Sequence, residues 1–508
     1  MKFEIKLMDL VGGSPNYLIT NPETLDEIEM NEGTLVKLKT KNQGFRLMSS
    51  SSVSKGKAII SPTIANDLGI QEGDTVEIEE IGLEHFSKIV RKKMARKTLE
   101  PPEIREFMAA IDYGYVADPH IATFGTAVEI NGMSIEETTT VAEAILEHSN
   151  KLRLKREPIV DKHSIGGIAG NRITPIMVPI IAAAGLTIPK VSTRAITSPA
   201  GTSDALETIM PVELTLDEVT KVIEKTNGCM VDGMKIGLGD VADKFLRVVK
   251  QVKIDPREMM IASILSKKKA AGSQYVLIDL PTGKGSKLPN REDARKLAYQ
   301  FASIGNNLDL QIEAVISPGD TPIGTMIGPA LEMKEALMIL EGKNGALNLR
   351  RKALSLAGII FEMVNRAEAG AGVEMATEIL QSGKALEKFR EIVEAQGGDP
   401  EITSDQIPEA DYSYTVYSES DDKIYALDSY NIGLIARAAG APKDKYAGIV
   451  IHKVRGELVH KGEPILTINA HSETKITEAL NMLHTSPPFT MEKMVLEHLK
   501  PTRTYDLQ

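Results

Sequence analysis

The first 80 residues of the chain repeat themselves at an offset of 40, and that self-similarity narrows the folds open to this segment. Ile19-Thr20-Asn21-Pro22 answers Ile59-Ile60-Ser61-Pro62, and Ile28-Glu29-Met30-Asn31-Glu32-Gly33 answers Leu68-Gly69-Ile70-Gln71-Glu72-Gly73. Leu35-Val36-Lys37-Leu38 answers Thr75-Val76-Glu77-Ile78. Each copy reads as strand, short helix opened by proline, glycine turn and strand, because proline suits a first helical turn and Glu-Gly a tight reversal. Two such copies interlock into a small β-barrel, expected over residues 1–83. Glu32 and Glu72 stand beside turn glycines and read as solvated, so the segment is expected to serve assembly or docking.

The whole chain has 508 residues, enough for about three domains. From Leu83 to Ser149 the apolar period changes to 3.6, with Ile104, Phe107, Met108 and Ile111 on one stripe and Ile135, Thr139, Val141, Ala142, Ile145 and Leu146 on another. Ser134 and Glu137 form a capping box. A helical lobe is expected over 84–155, completed by about 241–271. Strand-then-helix segments follow at Thr187–Ser192, Gly228–Val231, Tyr275–Leu280 and Asp309–Ile316, which predicts an α/β lobe over 156–240 and 272–400. After Gly397-Gly398-Asp399-Pro400 the Gly-bounded strands Ala447–His452 and Pro464–Ile468 predict a β-rich domain over 401–508. The expected fold class is thus α/β, with a helical lobe, a large α/β lobe, a β-rich C-terminal part and a preceding barrel. The barrel resembles the double-psi barrels at the N-terminus of some archaeal AAA ATPases, which mediate protein contacts.

Charge excludes some partners. Lys+Arg 59 against Asp+Glu 70 leaves a net charge of -11, so no overall positive field draws in nucleic acid, and an anionic ligand must be small and locally held. The longest uncharged run, Ile173–Pro189, is too short for a membrane span of about 20 residues and carries three prolines, so it reads as a buried helix. The N-terminus shows no signal-peptide pattern, and the single cysteine, Cys229, sits in an apolar strand, so a buried thiol and a cytoplasmic location are expected.

Three segments carry chemistry. In Asp161-Lys162-His163-Ser164-Ile165-Gly166-Gly167-Ile168-Ala169-Gly170-Asn171, small residues before a helix let backbone approach a ligand, and Lys162 and Ser164 add a charge and a hydroxyl. That composition makes a phosphate cradle, although a glycine turn before a helix also serves structure alone. A second segment, Ser192 to Glu207, gathers six hydroxyls and Arg194 around Gly201, more than helix capping requires. A third, Ile261–Lys269, places Ser263 and Lys267 one turn apart on one helical face, or is simply a basic helix end.

At this order and spacing the three segments resemble the thymidine and pyrimidine-nucleoside phosphorylase family, over roughly residues 85–500. Its Lys-His-Ser-x-Gly-Gly turn matches Lys162–Gly167, its Ser-x-Arg signature matches Ser192–Glu207, and its Ala-Ser-Ile-x-Ser-Lys-Lys helix matches Ala262–Lys268. The resemblance implies that Lys162, Ser164, Ser192 and Thr202 hold inorganic phosphate, and that Arg194, Ser263 and Lys267 lie at or near the nucleoside. Two departures stand out. The Arg-Asp pair of the pyrimidine-cleaving members is missing from Phe245–Gln251, and Pro281-Thr282-Gly283-Lys284-Gly285-Ser286-Lys287 carries two lysines where those members have an uncharged loop. Together with the barrel and the Ser-Thr-Arg-Ala-Ile-Thr-Ser wording, the lysine loop resembles the archaeal AMP phosphorylases, which turn a nucleoside 5′-monophosphate and phosphate into free base and ribose 1,5-bisphosphate.

That likeness implies AMP contacts from Gly167, Thr193, Arg194, Ala195, Ile196, Thr197, Ser198, Thr202, Ser263 and Lys287, with Asp255 as proton donor. On the residues alone Asp255 reads as a helix cap beside Pro256. His163, Lys267 and Lys284 are expected in supporting roles. Phosphate is a co-substrate, and the count of lysines and arginine against two phosphates requires no metal or other cofactor. A homodimer core, enlarged through the barrel, is expected. The alternatives are a nucleoside phosphorylase indifferent to the 5′-phosphate and a non-enzymatic nucleotide sensor.

Overall fold

The computed structural model describes residues 2–9, 16–195 and 198–492, and the chain divides into two compact units. The first comprises Met1–Lys151, Gly237–Ala271 and Ser303–Leu310; the second comprises Leu152–Ile236, Gly272–Ala302 and Gln311–Gln508.

In the first unit the repeat closes into a six-stranded barrel with the order Lys2–Leu7, Lys57–Ile60, Tyr17–Thr20, Gly44–Ser49, Leu35–Leu38 and Thr75–Glu80. The copies interlock, since Lys2–Leu7 runs parallel to Lys57–Ile60 and Tyr17–Thr20 parallel to Gly44–Ser49. Inward residues Phe3, Ile5, Leu18, Val36, Leu47, Ile60 and Ile78 fill it. The two short helices start as the repeat predicts, on Asn21 and Ser61 caps each followed by proline. Glu32 is exposed but not simply solvated, because its carboxylate accepts from the Ser49 N–H at 2.9 Å.

The barrel is followed by the helices Glu84–Met94, Pro101–Tyr113, Asp118–Asn131 and Ile135–Glu147, and it meets the end of the second of them. The Gln43 amide donates to the Tyr113 carbonyl at 3.2 Å, and any side chain at Gly44 would strike the Gly114 backbone. Ser134 and Glu137 form the expected capping box, and Glu137 also accepts from the buried Lys93 at 2.9 Å. The later helical block is two helices, Asp240–Val249 and Arg257–Ala270, separated by a 3₁₀ turn.

The second unit is built on parallel strands. Gln311–Pro318, Tyr275–Thr282 and Val160–Ser164 form one sheet, Ile188–Ser192 and Gly228–Asp232 another, and the Ile159–Thr187 bridge joins them. Chain order moves outward from Val160–Ser164 to one side, then returns to Tyr275–Thr282 on its other side. The direction of winding therefore reverses between these two strands, and in open parallel sheets the crevice at the carboxyl ends of such a pair is where ligands bind. Cys229 is buried in its strand. The uncharged run becomes the helix Thr174–Ala183, buried over nearly its whole length.

The C-terminal part combines strands with helices. Its antiparallel sheet, Met326–Ile327, Gly448–Ile451, Pro464–Ala470 and Tyr412–Tyr417, packs with the helices Ser429–Ala439 and Glu473–Thr485 around one core. Its edge strand Met326–Ile327 comes from the α/β region, so this part shares a sheet with the body. Among the described residues no helix is long and apolar enough to cross a membrane.

Candidate active site

The carboxyl ends of the two strands at the reversal carry both glycine loops singled out in the sequence. Lys162 and Ser164 share one face of Val160–Ser164 because strand side chains alternate, and His163 takes the other face. Gly166 and Gly167 follow, exposed, and Gly167 has φ +110°, a conformation that side chains rarely adopt. The Lys287 Cγ lies 3.9 Å from where a Cβ on Gly167 would stand. The lysine loop after Tyr275–Thr282 is therefore folded against the Gly-Gly turn. Ser286 ties the loop to itself, donating to the Leu288 carbonyl at 2.7 Å. Lys287 and Lys284 are both exposed, and the Lys284 Nζ lies 3.9 Å from an Asp428 oxygen.

Behind the turn lies a buried polar network absent from the sequence expectations. Lys162 Nζ donates to Ser164 Oγ, and Ser164 Oγ donates to Asp279 Oδ2 at 2.6 Å. Ser317 donates to Asp279 Oδ1 at 2.6 Å, and Lys352 Nζ lies 2.8 Å from Asp279 Oδ2. Burial alone pushes the Asp279 carboxyl up, but Lys352 and Lys162, with the Ser164 hydrogen bond, outweigh it and hold it below the usual carboxylate range. Both residues left a signal. Asp279 is an ionisable residue inside an apolar strand, and Lys352 falls on the helical stripe of Leu349, Leu356 and Ala357.

The serine- and threonine-rich segment connects Ile188–Ser192 with the short helix Thr202–Leu206. Asp204 closes it, accepting from the Ala195 and Gly201 N–H groups at 2.7 and 2.8 Å. Only glycine fits at 201, because a Cβ there would strike the Arg194 and Ala195 backbone. The Thr202 hydroxyl accepts from Arg172 at 2.6 Å, and Ser198 donates to the Ala200 carbonyl. Ser192 Oγ is buried at its strand end without a hydrogen-bond partner among the described residues. Thr193 is exposed in the turn; Ile196 and Thr197 lie outside the described residues.

Arg194 points at carboxylates. It makes a two-pronged contact with Glu207 at 2.8 and 2.9 Å and reaches Glu213 at 2.6 Å. The Arg194 hydrogen bond leads in holding Glu207 at about 2, against its ordinary 4.5, while partial burial opposes the shift. Its charge is thus already matched within the protein.

Ser263, Lys267 and Asp255 belong to the first unit. Ser263 is buried on Arg257–Ala270, and Lys267, one turn on, donates to Asp243 at 2.6 Å. Asp255 is exposed one place before the N-cap, which is Pro256 itself, so it is not the cap that its position beside a proline suggests. In the same unit burial, with a smaller push from Asp243, raises the Asp240 carboxyl above its ordinary range.

Residues 87–149 match the helical bundle domain of a glycosyl transferase family and residues 156–386 its a/b domain. Residues 423–489 match the pyrimidine nucleoside phosphorylase C-terminal domain. An AMP phosphorylase of Pyrococcus furiosus is 41% identical over 502 residues, covering 98% of this chain and 99% of the relative. One from Thermococcus kodakarensis is 42% identical over 501 residues with the same coverage. The anthranilate phosphoribosyltransferase of Thermus thermophilus has the same fold over 61% of this chain and 99% of its own, with a TM-score of 0.53 at 19% identity.

Proposed function

Because this chain belongs to the AMP phosphorylase family, we propose that it is a pentosyltransferase that splits AMP with inorganic phosphate into adenine and α-D-ribose 1,5-bisphosphate. The observation that carries the 5′-phosphate part of this reading is the packing of Lys287 against Gly167 at the sheet reversal. That packing sets an additional cation beside the cradle of Lys162 and Ser164.

A phosphate oxygen attacks C1′ as the C1′–N bond breaks, and the bonding electrons leave with the purine. Asp255 gives its proton to the departing base and regains one from the attacking phosphate, so charge and atoms balance. Lys162, Ser164, Ser192 and Thr202 hold the attacking phosphate in line; Lys287, with Gly167 and residues 193–198, receives the nucleotide, and Ser263 contacts it. Lys267, His163 and Lys284 act in support. The pairing of Arg194 with Glu207 and Glu213 favours a structural part for it, shaping the turn rather than neutralising phosphate. No metal or other cofactor enters the scheme. We place the enzyme in the cytoplasm as a homodimer enlarged through the barrel.

The test is product analysis with AMP, CMP, UMP, GMP and adenosine, each with and without phosphate. Phosphate-dependent release of adenine from AMP, with adenosine a poor substrate, is the expected result. Equal use of adenosine would make it a nucleoside phosphorylase, and no base release from any of them would leave a nucleotide-binding protein.

A further inference from the structure

Asp279 supplies the negative charge in its network, and two lysines bear on it. It is fully buried, and its two oxygens take hydrogen bonds from Ser164 and Ser317 and an ion pair from Lys352. Lys352 is itself largely buried, and its Nζ also lies 3.1 Å from Ser317 Oγ. Lys162 is linked to the same carboxylate through Ser164. Hydroxyl chemistry adds a constraint. Ser164 has one proton, which it gives to Asp279, so its lone pairs are turned to Lys162.

We infer that Lys352 is a positioning residue for phosphate: it balances Asp279, so that the carboxylate can fix Ser164 without drawing Lys162 away from the incoming anion. Without Lys352 the cradle is one charge more negative toward a phosphate dianion, and Asp279 draws Lys162 inward. The inference rests on reading Lys162 and Ser164 as the phosphate ligands.

Steady-state kinetics with AMP and phosphate varied separately tests it in three full-length proteins, Lys352→Met, Lys352→Arg and Asp279→Asn/Lys352→Met, each checked for folding by thermal melting. Loss of a charge-assisted contact predicts that Lys352→Met raises the KM for phosphate roughly 10- to 150-fold. The KM for AMP should move by less than about threefold, because uniform damage to the site would move both. The arginine variant keeps the charge, and the double variant removes the Asp279 charge together with that of Lys352, so each should return the phosphate KM to within roughly tenfold of wild type. Equal increases in both KM values, or a double variant no better for phosphate than Lys352→Met, overturns the inference. If Lys352→Met fails to fold, the arginine and double variants decide it by the same criterion. If the wild-type chain releases no base from AMP, the proposed activity fails on its own, and calorimetric binding of inorganic phosphate to the same proteins judges Lys352. Unchanged phosphate affinity in the folded variants would then overturn its role.

Discussion

Arg172 donates from Nη1 to the Thr202 hydroxyl at 2.6 Å, from a guanidinium that is otherwise locked onto Glu332 through Nε at 2.7 Å. Its Nη2 also reaches the Ala200 carbonyl at 2.9 Å. One buried ion pair thus anchors the turn that opens on Thr202, as Lys352 and Asp279 anchor Ser164. Burial drives the Glu332 carboxyl above its ordinary range even with Arg172 beside it, so this pair depends on both members being present.

Arg172→Met therefore leaves a buried carboxyl without its cation and should lower unfolding stability by about 3–5 kcal/mol, the usual penalty for removing one partner. Arg172→Met/Glu332→Met should recover much of that stability. Denaturant titration of the two variants checks this, and a double variant as unstable as the single would mean that the pair does not carry the effect.

Lys287→Ala should raise the KM for AMP by roughly 10- to 150-fold, the equivalent of a charge-assisted contact of about 1.5–3 kcal/mol. Activity on adenosine should hardly change. Lys284→Ala should do less, since Lys284 is 90% exposed and only 3.9 Å from Asp428. An equal loss on AMP and adenosine would point to damage in the loop, and no loss on either would return Lys287 to the surface.

Asp255→Asn should cut turnover about 100- to 10,000-fold with AMP binding largely kept, because an amide preserves shape but cannot supply the proton. Rapid-quench turnover with a separate AMP-binding titration distinguishes the two effects. Retention of more than about a third of the wild-type rate would move the acid elsewhere. Asp240, a carboxyl that burial raises in the same unit, would be the next to substitute.

The Arg194 and Glu207 pair predicts a particular pH dependence. The Glu207 carboxyl is held at about 2, below its ordinary 4.5, so the unfolded chain takes up this proton first as pH falls. Its contribution to stability is full above about 4.5, and it is lost as pH falls toward about 2. The melting temperature of wild type should exceed that of Glu207→Gln at pH 6, and the gap should close as the pH is lowered through this window. A gap that is absent at pH 6, or that does not change down to pH 2, would dissociate Glu207 from this stabilisation.

Removing residues 1–83 should reduce oligomer size while leaving phosphorolysis of AMP in place, since every proposed ligand contact lies beyond Leu83. Gel filtration and assay of the shortened chain measure both. Lost activity in a chain that still melts cooperatively would assign the barrel a part in the site, through the helices on which Gly44 packs at Gly114.

Local sequence determined a great deal here. The 40-residue offset was enough for an interlocked barrel because each copy carries its own caps and turns, Asn21-Pro22 and Ser61-Pro62. The stripe of Ile104, Phe107, Met108 and Ile111 was enough for a buried helix face, since helical period is written in adjacent turns. Lys162, Ser164 and the two glycines were legible as an anion turn for the same reason. What lay beyond the sequence was any relation between distant segments. Asp279 meets Ser164 only because parallel strands bring residues more than 100 positions apart into register, Asp279 directly opposite Ser164, while Ser317 reaches Asp279 from the neighbouring strand and Lys352 from the helix Leu347–Met363. Arg194 read as a free cation in the sequence, and only the folded turn set Glu207 and Glu213 against it. Residue type and spacing specify which chemistry a segment can offer; which charges remain unmatched is decided by the partners that tertiary packing supplies, because in a buried setting each charge must be paired where it stands.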